Sequence, residues 1–197
     1  MKIEFREGPV ERIETPVLVT DSFEENPASS GTTEQLPATT RKMLEGLQAS
    51  GELTGKAHEC TLIHNPPGLA ASRLLVVGAG KREKFLPPHL ARLSGAAVRY
   101  ARSKNIHEIS WVTLARFRTP EAVQHLVQGA IMADYDADKY RADKNSGRRV
   151  DRFTLLAGET PFGEAERKAI EQGRIVAESA NFTRDLVNEP SNIMTPT

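Results

Sequence analysis

The order of apolar and polar residues predicts six short β-strands. Residues 2–6 alternate with a period of two and place Ile3 and Phe5 on one face, which is typical of a half-buried strand. Residues 73–78 form a continuous apolar run and give the clearest buried strand. The other four predicted strands cover residues 16–21, 59–64, 106–114 and 153–157.

Apolar residues at helical spacing predict four helices. The first follows a cap at Thr39 or Thr40 and ends at Gly51. The second and third, at residues 87–103 and 119–133, carry prolines at their start, where proline is favoured. Two polar segments between these elements are predicted to be loops, and the first of them is expected to be mobile. They cover residues 22–38 and 139–150.

The fourth predicted helix covers residues 163–188. At a rise of about 1.5 Å per residue it is about 40 Å long, more than a single small sheet covers, and such a helix often leads from one domain into another. A stripe of mostly small residues runs along it: Ala169, Gly173, Val176, Ala177 and Ala180. The alternation of strands and helices predicts an α/β domain of three layers, with a mixed, mostly parallel sheet between helices.

Composition narrows the functional classes. Lys plus Arg and Asp plus Glu both number 26, and this balance argues against a general nucleic-acid binder. Cys60 is the one cysteine, so no internal disulfide forms, which fits a reducing compartment. The N-terminus has no apolar core of a secretory signal, and no apolar run approaches the roughly 20 residues of a membrane span. We therefore expect a cytoplasmic protein.

A short glycine motif follows the strand at residues 73–78. Gly78, Gly80 and Lys81 lie where α/β folds often hold a phosphate, and they are the candidate ligand-binding residues. However, Glu83 stands where a dinucleotide fingerprint has a small residue, and Leu75 stands where a P-loop has glycine. The mismatches favour a tight structural turn, with a phosphate site as the alternative.

One set of side chains has the chemistry of zinc ligands. His58, Cys60 and His64 share one face if residues 57–64 are extended. They would then span about 20 Å, so only the first two are close enough to share an ion. An inward Cys60 between partly exposed histidines is the favoured interpretation.

Charged residues cluster between the third helix and the last strand. An acidic group comprises Asp134, Asp136, Asp138 and Asp143, without the glycine and glutamate of a calcium loop. A basic run comprises Lys139, Arg141, Lys144, Arg148 and Arg149, with little aromatic interleaving. Both are interpreted as solvated segments at a helix end and in a loop.

The end of the fourth helix has a distinctive order of residues. Pro190 disfavours helix at Glu189, and Asn188 and Asn192 can bond backbone groups that the helix end frees. Residues 184–196 read Arg-Asp-Leu-x-Asn-x-Pro-x-Asn and then Thr-Pro. This order resembles the segment that joins the two domains of M17 leucyl aminopeptidases. Weaker matches in the family order lie at residues 51–56, 74–81 and 135–141.

The resemblance implies a division of the chain into three parts. Residues 1–160 would form a macro-domain-like N-terminal domain, residues 161–189 a long interdomain helix, and residues 190–197 the start of a catalytic domain. The linker residues carried over are Arg184, Asp185, Asn188, Pro190 and Asn192.

The resemblance also implies a function for the whole protein. Family members release N-terminal residues from peptides, with two divalent metals, zinc or manganese, in a C-terminal catalytic domain, and they form hexamers. Their catalytic and metal motifs follow the linker, so this chain is expected to hold no catalytic residue, metal ligand or cofactor. Its expected partners are the catalytic domain and further copies, without membrane or nucleic acid. Oligomer assembly or control of active-site access is the favoured role, and an ADP-ribose or nucleotide-binding module is the alternative.

Overall fold

The computed structural model describes residues 1–113, 118–137 and 148–190. Six strands lie in these ranges: β1 Lys2–Arg6, β2 Leu18–Ser22, β3 Cys60–His64, β4 Arg73–Gly78, β5 Glu108–Val112 and β6 Arg152–Leu156. Four α-helices accompany them: α1 Ala38–Ala49, α2 His89–Ser103, α3 Pro120–Ala133 and α4 Glu164–Asn188. The predicted strands and helices are confirmed with ends shifted by a few residues, and position 114 lies outside the described ranges.

The six strands form one sheet in the order β1-β6-β5-β2-β4-β3. Neighbouring strands are parallel except β3 and β4, which are antiparallel. The strands β2, β4 and β5 are buried almost throughout, which explains why β4 is a continuous apolar run without alternation. Strand β2 differs in that its second half consists of buried polar residues, Thr20, Asp21 and Ser22. The prediction of a mixed, mostly parallel sheet is confirmed.

Two apolar cores lie on opposite faces of the sheet, because successive side chains of a strand alternate. On one face Val19 and Trp111 pack with residues of α2 and α3. On the other face Leu18 and Leu74 pack with Leu44 of α1. Helix α4 packs along α3 and so adds to the helical layer formed by α2 and α3. The result is the predicted three-layer domain, and no helix in its described residues is long and apolar enough to cross a membrane.

The polar segment between β2 and α1 is packed rather than exposed. It forms two short 3-10 helices, and their hydroxyl groups bond the end of β2. Ser30 Oγ accepts from the amide of Phe23 at 2.8 Å, and Thr32 Oγ1 donates to Asp21 Oδ1 at 2.8 Å. Ser30 and Thr32 are buried. The expectation of a mobile loop is wrong, because buried hydroxyls satisfy the backbone where large apolar residues are scarce.

Helix α1 does not start with a threonine cap. Its N-cap is Pro37, and Thr40 instead faces inward and donates to the carbonyl of Pro67 at 2.6 Å. The predicted cap at Thr39 or Thr40 is therefore wrong, since the Thr40 hydroxyl ties the helix to a neighbouring turn. The predicted stop is confirmed, because Gly51 follows the helix with φ +81°.

The small-residue face of α4 lies against α3. Ala169, Gly173 and Ala177 are buried there. A Cβ at Gly173 would lie 2.7 Å from the carbonyl oxygen of Gln124, so the two backbones approach closely. Val176 was predicted to belong to this face, but it lies at the face's edge and is exposed.

Candidate functional site

Helix α4 carries a second apolar face opposite the one that packs on α3. Ile175, Phe182 and Leu186 lie on it with 51%, 63% and 36% exposure. At 3.6 residues per turn these three positions project to one side, and Ala169 and Ala177 project to the other. A surface helix usually has a single apolar stripe, buried in its own domain. The second face of α4 is therefore a candidate interaction surface.

Three predicted linker residues meet around Tyr135, which follows α3. The Tyr135 hydroxyl donates to Asp185 Oδ1 at 2.9 Å and accepts from Asn188 Nδ2 at 3.3 Å. The Arg184 guanidinium lies 5.6 Å from the centre of the Tyr135 ring and donates to the carbonyl of Met132 at 3.1 Å. These contacts, which we call the junction cluster, hold the carboxyl end of α4 against the end of α3.

The helix ends where the sequence predicts. Glu189 leaves the helical conformation with φ −69° and ψ 134°, directly before Pro190. Asn188 donates to the carbonyl of Arg184 at 2.7 Å, and so it bonds a backbone group at the helix end as expected. Pro190 is exposed, whereas Asn192 lies outside the described residues.

The two described aspartates of the acidic group face an arginine and not solvent. Arg102, 7% exposed, pairs with Asp136 and donates to the carbonyl of Arg148 at 2.6 Å. Its Nε also lies 3.7 Å from Asp134 Oδ1. Burial raises the pKa of Asp134, which also accepts from the amide of Val150 at 3.1 Å. The expected solvated helix end is wrong here.

The remaining charged residues of that region are mostly outside the described part of the chain. This holds for Asp138 and Asp143 and for Lys139, Arg141 and Lys144 of the basic run. Arg148 and Arg149 are described and exposed.

The glycine motif forms a closed turn. The amides of Gly78, Ala79 and Gly80 donate to the carbonyls of Glu59, Ser22 and Gly55 at 2.7–2.9 Å. A Cβ at Gly78 would lie 1.9 Å from the carbonyl oxygen of Lys56, and Gly80 has φ +77°. Lys81 is exposed at the start of a short 3-10 helix. The amides that would cradle a phosphate are bonded within the protein, which supports the interpretation as a turn.

The proposed shared face of His58, Cys60 and His64 is not formed. Strand β3 begins at Cys60, and His58 precedes it with φ +67°, so strand alternation does not extend to His58. Burial is the main cause that raises the pKa of the Cys60 thiol to about 11. Across residues 1–113, 118–137 and 148–190, no three His, Cys, Asp or Glu side chains are grouped to hold a metal ion.

A cavity of about 370 Å³ opens at the carboxyl ends of β2 and β5, beside the starts of α2 and α3. In α/β folds this edge of the sheet commonly holds ligands. Its walls are mostly aromatic and aliphatic, and they include Phe23, Phe85 and Trp111. Sequence reasoning missed this cavity, and its one signal was an aspartate, Asp21, at the end of a buried apolar run.

Asp21 is the buried acid of this cavity, with 7% exposure. Burial raises its pKa to about 6, and the charge of Glu34 adds to the rise. The hydrogen bond from Thr32 lowers the pKa without cancelling the effect of burial. The site therefore holds a desolvated carboxyl group next to an apolar space.

The fold is that of a three-layer α/β domain with a mixed, mostly parallel sheet. Comparison with known proteins shows the family to which this domain belongs. Residues 17–144 match the model for the N-terminal domain of the cytosol aminopeptidase family. A probable cytosol aminopeptidase of Solibacter usitatus is 39% identical over the whole chain, which covers 38% of that relative. One of Acidobacterium capsulatum is 36% identical over the whole chain and 41% of the relative. The chain belongs to the cytosol aminopeptidase family and spans about two fifths of these relatives.

Solved structures show the same fold. A mutant of tomato leucine aminopeptidase superposes with a TM-score of 0.78 and 20% identity, over 100% of this chain and 40% of that one. The bottromycin maturation enzyme BotP in complex with Mn gives 0.63 and 19%, over 92% and 33%. An Oceanobacillus iheyensis macrodomain with MES bound gives 0.62 and 11%, over 90% and 93%. The predicted macro-domain-like architecture is confirmed.

Proposed function

We propose that this chain is the non-catalytic N-terminal part of a leucyl aminopeptidase and that it joins the catalytic part through α4. The observation that carries the proposal is the second apolar face of α4, formed by Ile175, Phe182 and Leu186. The chain spans about two fifths of its relatives, so the remaining part of such a protein would supply the surface that covers this face. Burying an exposed apolar stripe of this kind stabilises association by about 25 cal/mol per Å².

We also propose that the chain divides into three parts. Residues 1–160 hold the sheet and three helices, residues 161–189 are the interdomain helix, and residues 190–197 begin the next domain. The junction cluster around Tyr135 supports this division because it fixes the direction in which α4 ends. Arg184, Asp185, Asn188, Pro190 and Asn192 are then residues of the linker, and they do not act on substrate.

The catalytic chemistry of the whole protein belongs to the part that follows. It would release N-terminal residues from peptides with two divalent metals, zinc or manganese, which activate water and polarise the peptide carbonyl. The structure of BotP with Mn supports a divalent metal in related proteins. A cytoplasmic hexamer, as the relatives' name and the resemblance imply, completes the proposal.

An ADP-ribose or nucleotide-binding module is the weaker alternative. The similarity to the macrodomain, at 11% sequence identity, concerns the fold alone. The family match, in contrast, is to aminopeptidases. The amides of Gly78 and Gly80, which would bind a phosphate, are already bonded to carbonyls. Calorimetric titration with ADP-ribose tests this alternative, and we expect no heat of binding at millimolar ligand.

Activity is the first test of the proposed function. The full-length protein, with the residues encoded after Thr197, should release leucine from a leucyl peptide when zinc or manganese is present. Residues 1–197 alone should release none under the same conditions. Metal-dependent release by residues 1–197 would show that the chain holds its own catalytic centre, and absence of release by the full-length protein would remove the peptidase assignment.

The second test addresses the α4 surface. Replacing Phe182→Ser and Leu186→Ser together should leave the thermal unfolding of residues 1–197 unchanged, because both side chains are exposed. In the full-length protein the same pair should lower the unfolding temperature or dissociate the oligomer in sedimentation. Lys168→Gln, whose side chain is 72% exposed on the same helix, is the control and should change neither. An unaltered full-length protein with the double substitution would contradict the proposed docking.

A further inference from the structure

The cavity at the ends of β2 and β5 has a buried carboxyl group, that of Asp21, on its wall. Asp21 Oδ1 accepts a hydrogen bond from Thr32, and no ion pair reaches Asp21 from the described residues. Buried carboxylates are usually paired with a cation, because an isolated buried charge is costly. A ligand that carries an ammonium group would supply this missing charge.

The body of the cavity is apolar. Leu90 of α2 and Val123 and Leu126 of α3 line it together with the ring of Trp111. A cavity of about 370 Å³ accommodates a small molecule with a branched aliphatic or aromatic body. Burying such a body gains about 25 cal/mol per Å² of apolar surface, which is the larger part of the expected affinity.

Positive charge lies on another part of the wall. The guanidinium of Arg82 is 4.8 Å from the centre of the Phe23 ring and 3.6 Å from Glu34 Oε1. Its side chain is 47% exposed, so it lies at the rim and still faces solvent. Arg118 has a second, buried guanidinium, whose charge is already compensated by Glu166, with Nε 3.7 Å from Oε1. Asp21 therefore disfavours a ligand that is purely anionic, and the half-exposed Arg82 offers N–H donors for a carboxylate at the rim.

These charges and the apolar space together define one ligand class. We propose that the cavity binds a free apolar α-amino acid, with its ammonium group at Asp21, its side chain against Trp111 and Leu126, and its carboxylate towards Arg82. Binding needs only residues of this chain, so it goes beyond the proposed interdomain role and does not depend on peptidase activity. Apolar amino acids are also the products that the proposed parent enzyme would release. The fraction of cavities that are occupied would therefore rise with the concentration of product.

Trp111 is the only tryptophan of the chain and provides a built-in probe. Titration of residues 1–197 with L-leucine should change its fluorescence saturably, with heat of binding in calorimetry. Two analogues of leucine test its ammonium group and its carboxylate separately. 4-Methylpentanoic acid lacks the amine, 3-methylbutylamine lacks the carboxylate, and both should bind at least about tenfold more weakly, the loss expected for a charge-assisted hydrogen bond.

Variants test the assigned residues. Asp21→Asn keeps the shape of the side chain and should weaken leucine binding by about ten- to a hundredfold. Arg82→Gln should weaken it by about tenfold, whereas Arg92→Gln, an exposed arginine of α2 outside the cavity, should not. Circular dichroism establishes that each variant is folded.

Three results would overturn the proposal. The first is the absence of any fluorescence change or heat up to about 10 mM leucine, which is about ten times the Kd of a weak site of about 1 mM. The second is equal binding of leucine and 4-methylpentanoic acid, and the third is unchanged leucine binding in a folded Asp21→Asn variant. None of these results bears on the peptidase assays, so a failure of this proposal leaves the proposed function standing.

Discussion

The hydroxyl of Tyr135 donates a 2.9 Å hydrogen bond to Asp185, a residue 50 positions later in the chain. The two residues belong to separate sequence segments that each resemble the aminopeptidase family. Their contact joins the end of α3 to the end of α4. The two segments that resemble the family thus meet in one contact, which holds the end of α4 against the end of α3.

Removal of the Tyr135 hydroxyl should loosen the end of α4. In Tyr135→Phe both Asp185 and Asn188 lose a hydrogen-bond partner, while the ring remains for Arg184. We expect faster amide hydrogen exchange at residues 184–188 and unchanged exchange in the sheet. Tyr100→Phe, a tyrosine on α2, is the control. Equal exchange at residues 184–188 in Tyr135→Phe and wild type would show that the cluster does not hold the helix end.

Arg102 should be one of the most sensitive positions in the chain. Arg102→Ala leaves the buried Asp134 without its nearest cation and removes donors from two carbonyls. We expect a loss of about 3–5 kcal/mol in the free energy of unfolding, measured with urea. Arg99→Ala removes an arginine that is 60% exposed and lies 3.7 Å from Asp136, and should change stability by less than about 1 kcal/mol. Similar losses for both variants would contradict the assignment.

Asp21 should give the protein a distinctive pH dependence. Its pKa is about 6 in the folded state and 3.8 ordinarily. Between these two pH values the folded protein therefore holds a proton on Asp21 that the unfolded chain has lost. The contribution of Asp21 to the free energy of unfolding should therefore fall by roughly 3 kcal/mol as pH rises from about 4 to 6, and then level off.

Comparison with Asp21→Asn isolates this effect. The variant does not titrate at position 21, so it should be more stable than wild type at pH 7 and approach it near pH 4. Asp134, whose pKa burial also raises, is present in both proteins and does not alter the difference. Parallel stability curves from pH 4 to 7 would mean that Asp21 is not desolvated in solution.

The glycine turn offers a matched pair of substitutions. Gly78→Ala would place a methyl group 1.9 Å from the Lys56 carbonyl, so the backbone must shift, at a cost of about 1–3 kcal/mol. A Cβ at Gly46 in α1 would meet no atom within 4 Å beyond its chain neighbours and the backbone of its own helix, so Gly46→Ala should stabilise the chain by about 0.5–1 kcal/mol. Thermal unfolding of both variants should show a lower unfolding temperature for Gly78→Ala and a higher one for Gly46→Ala. A Gly78→Ala variant as stable as wild type would exclude the tight approach.

Local sequence patterns were sufficient for the elements but not for polar contacts at long range. The strands at residues 73–78 and 153–157 follow from their apolar runs, and the stop at Glu189 follows from Pro190. The burial of Asp134 does not follow in this way, because its partner Arg102 lies on another helix. Thr40 was assigned to a cap by the same local reasoning, whereas its hydroxyl bonds the distant Pro67.

The sequence by itself determined the class of fold, the long terminal helix and the family, because these depend on periodicity and on ordered residues within a few turns. Only the tertiary structure decided which face of α4 is free, that Tyr135 meets Asp185, and that Asp21 faces a cavity. Such features arise where strands and helices distant in sequence come together, and the burial and charge at such places depend on all of them at once. Periodicity within one element does not indicate which other elements pack against it in the fold.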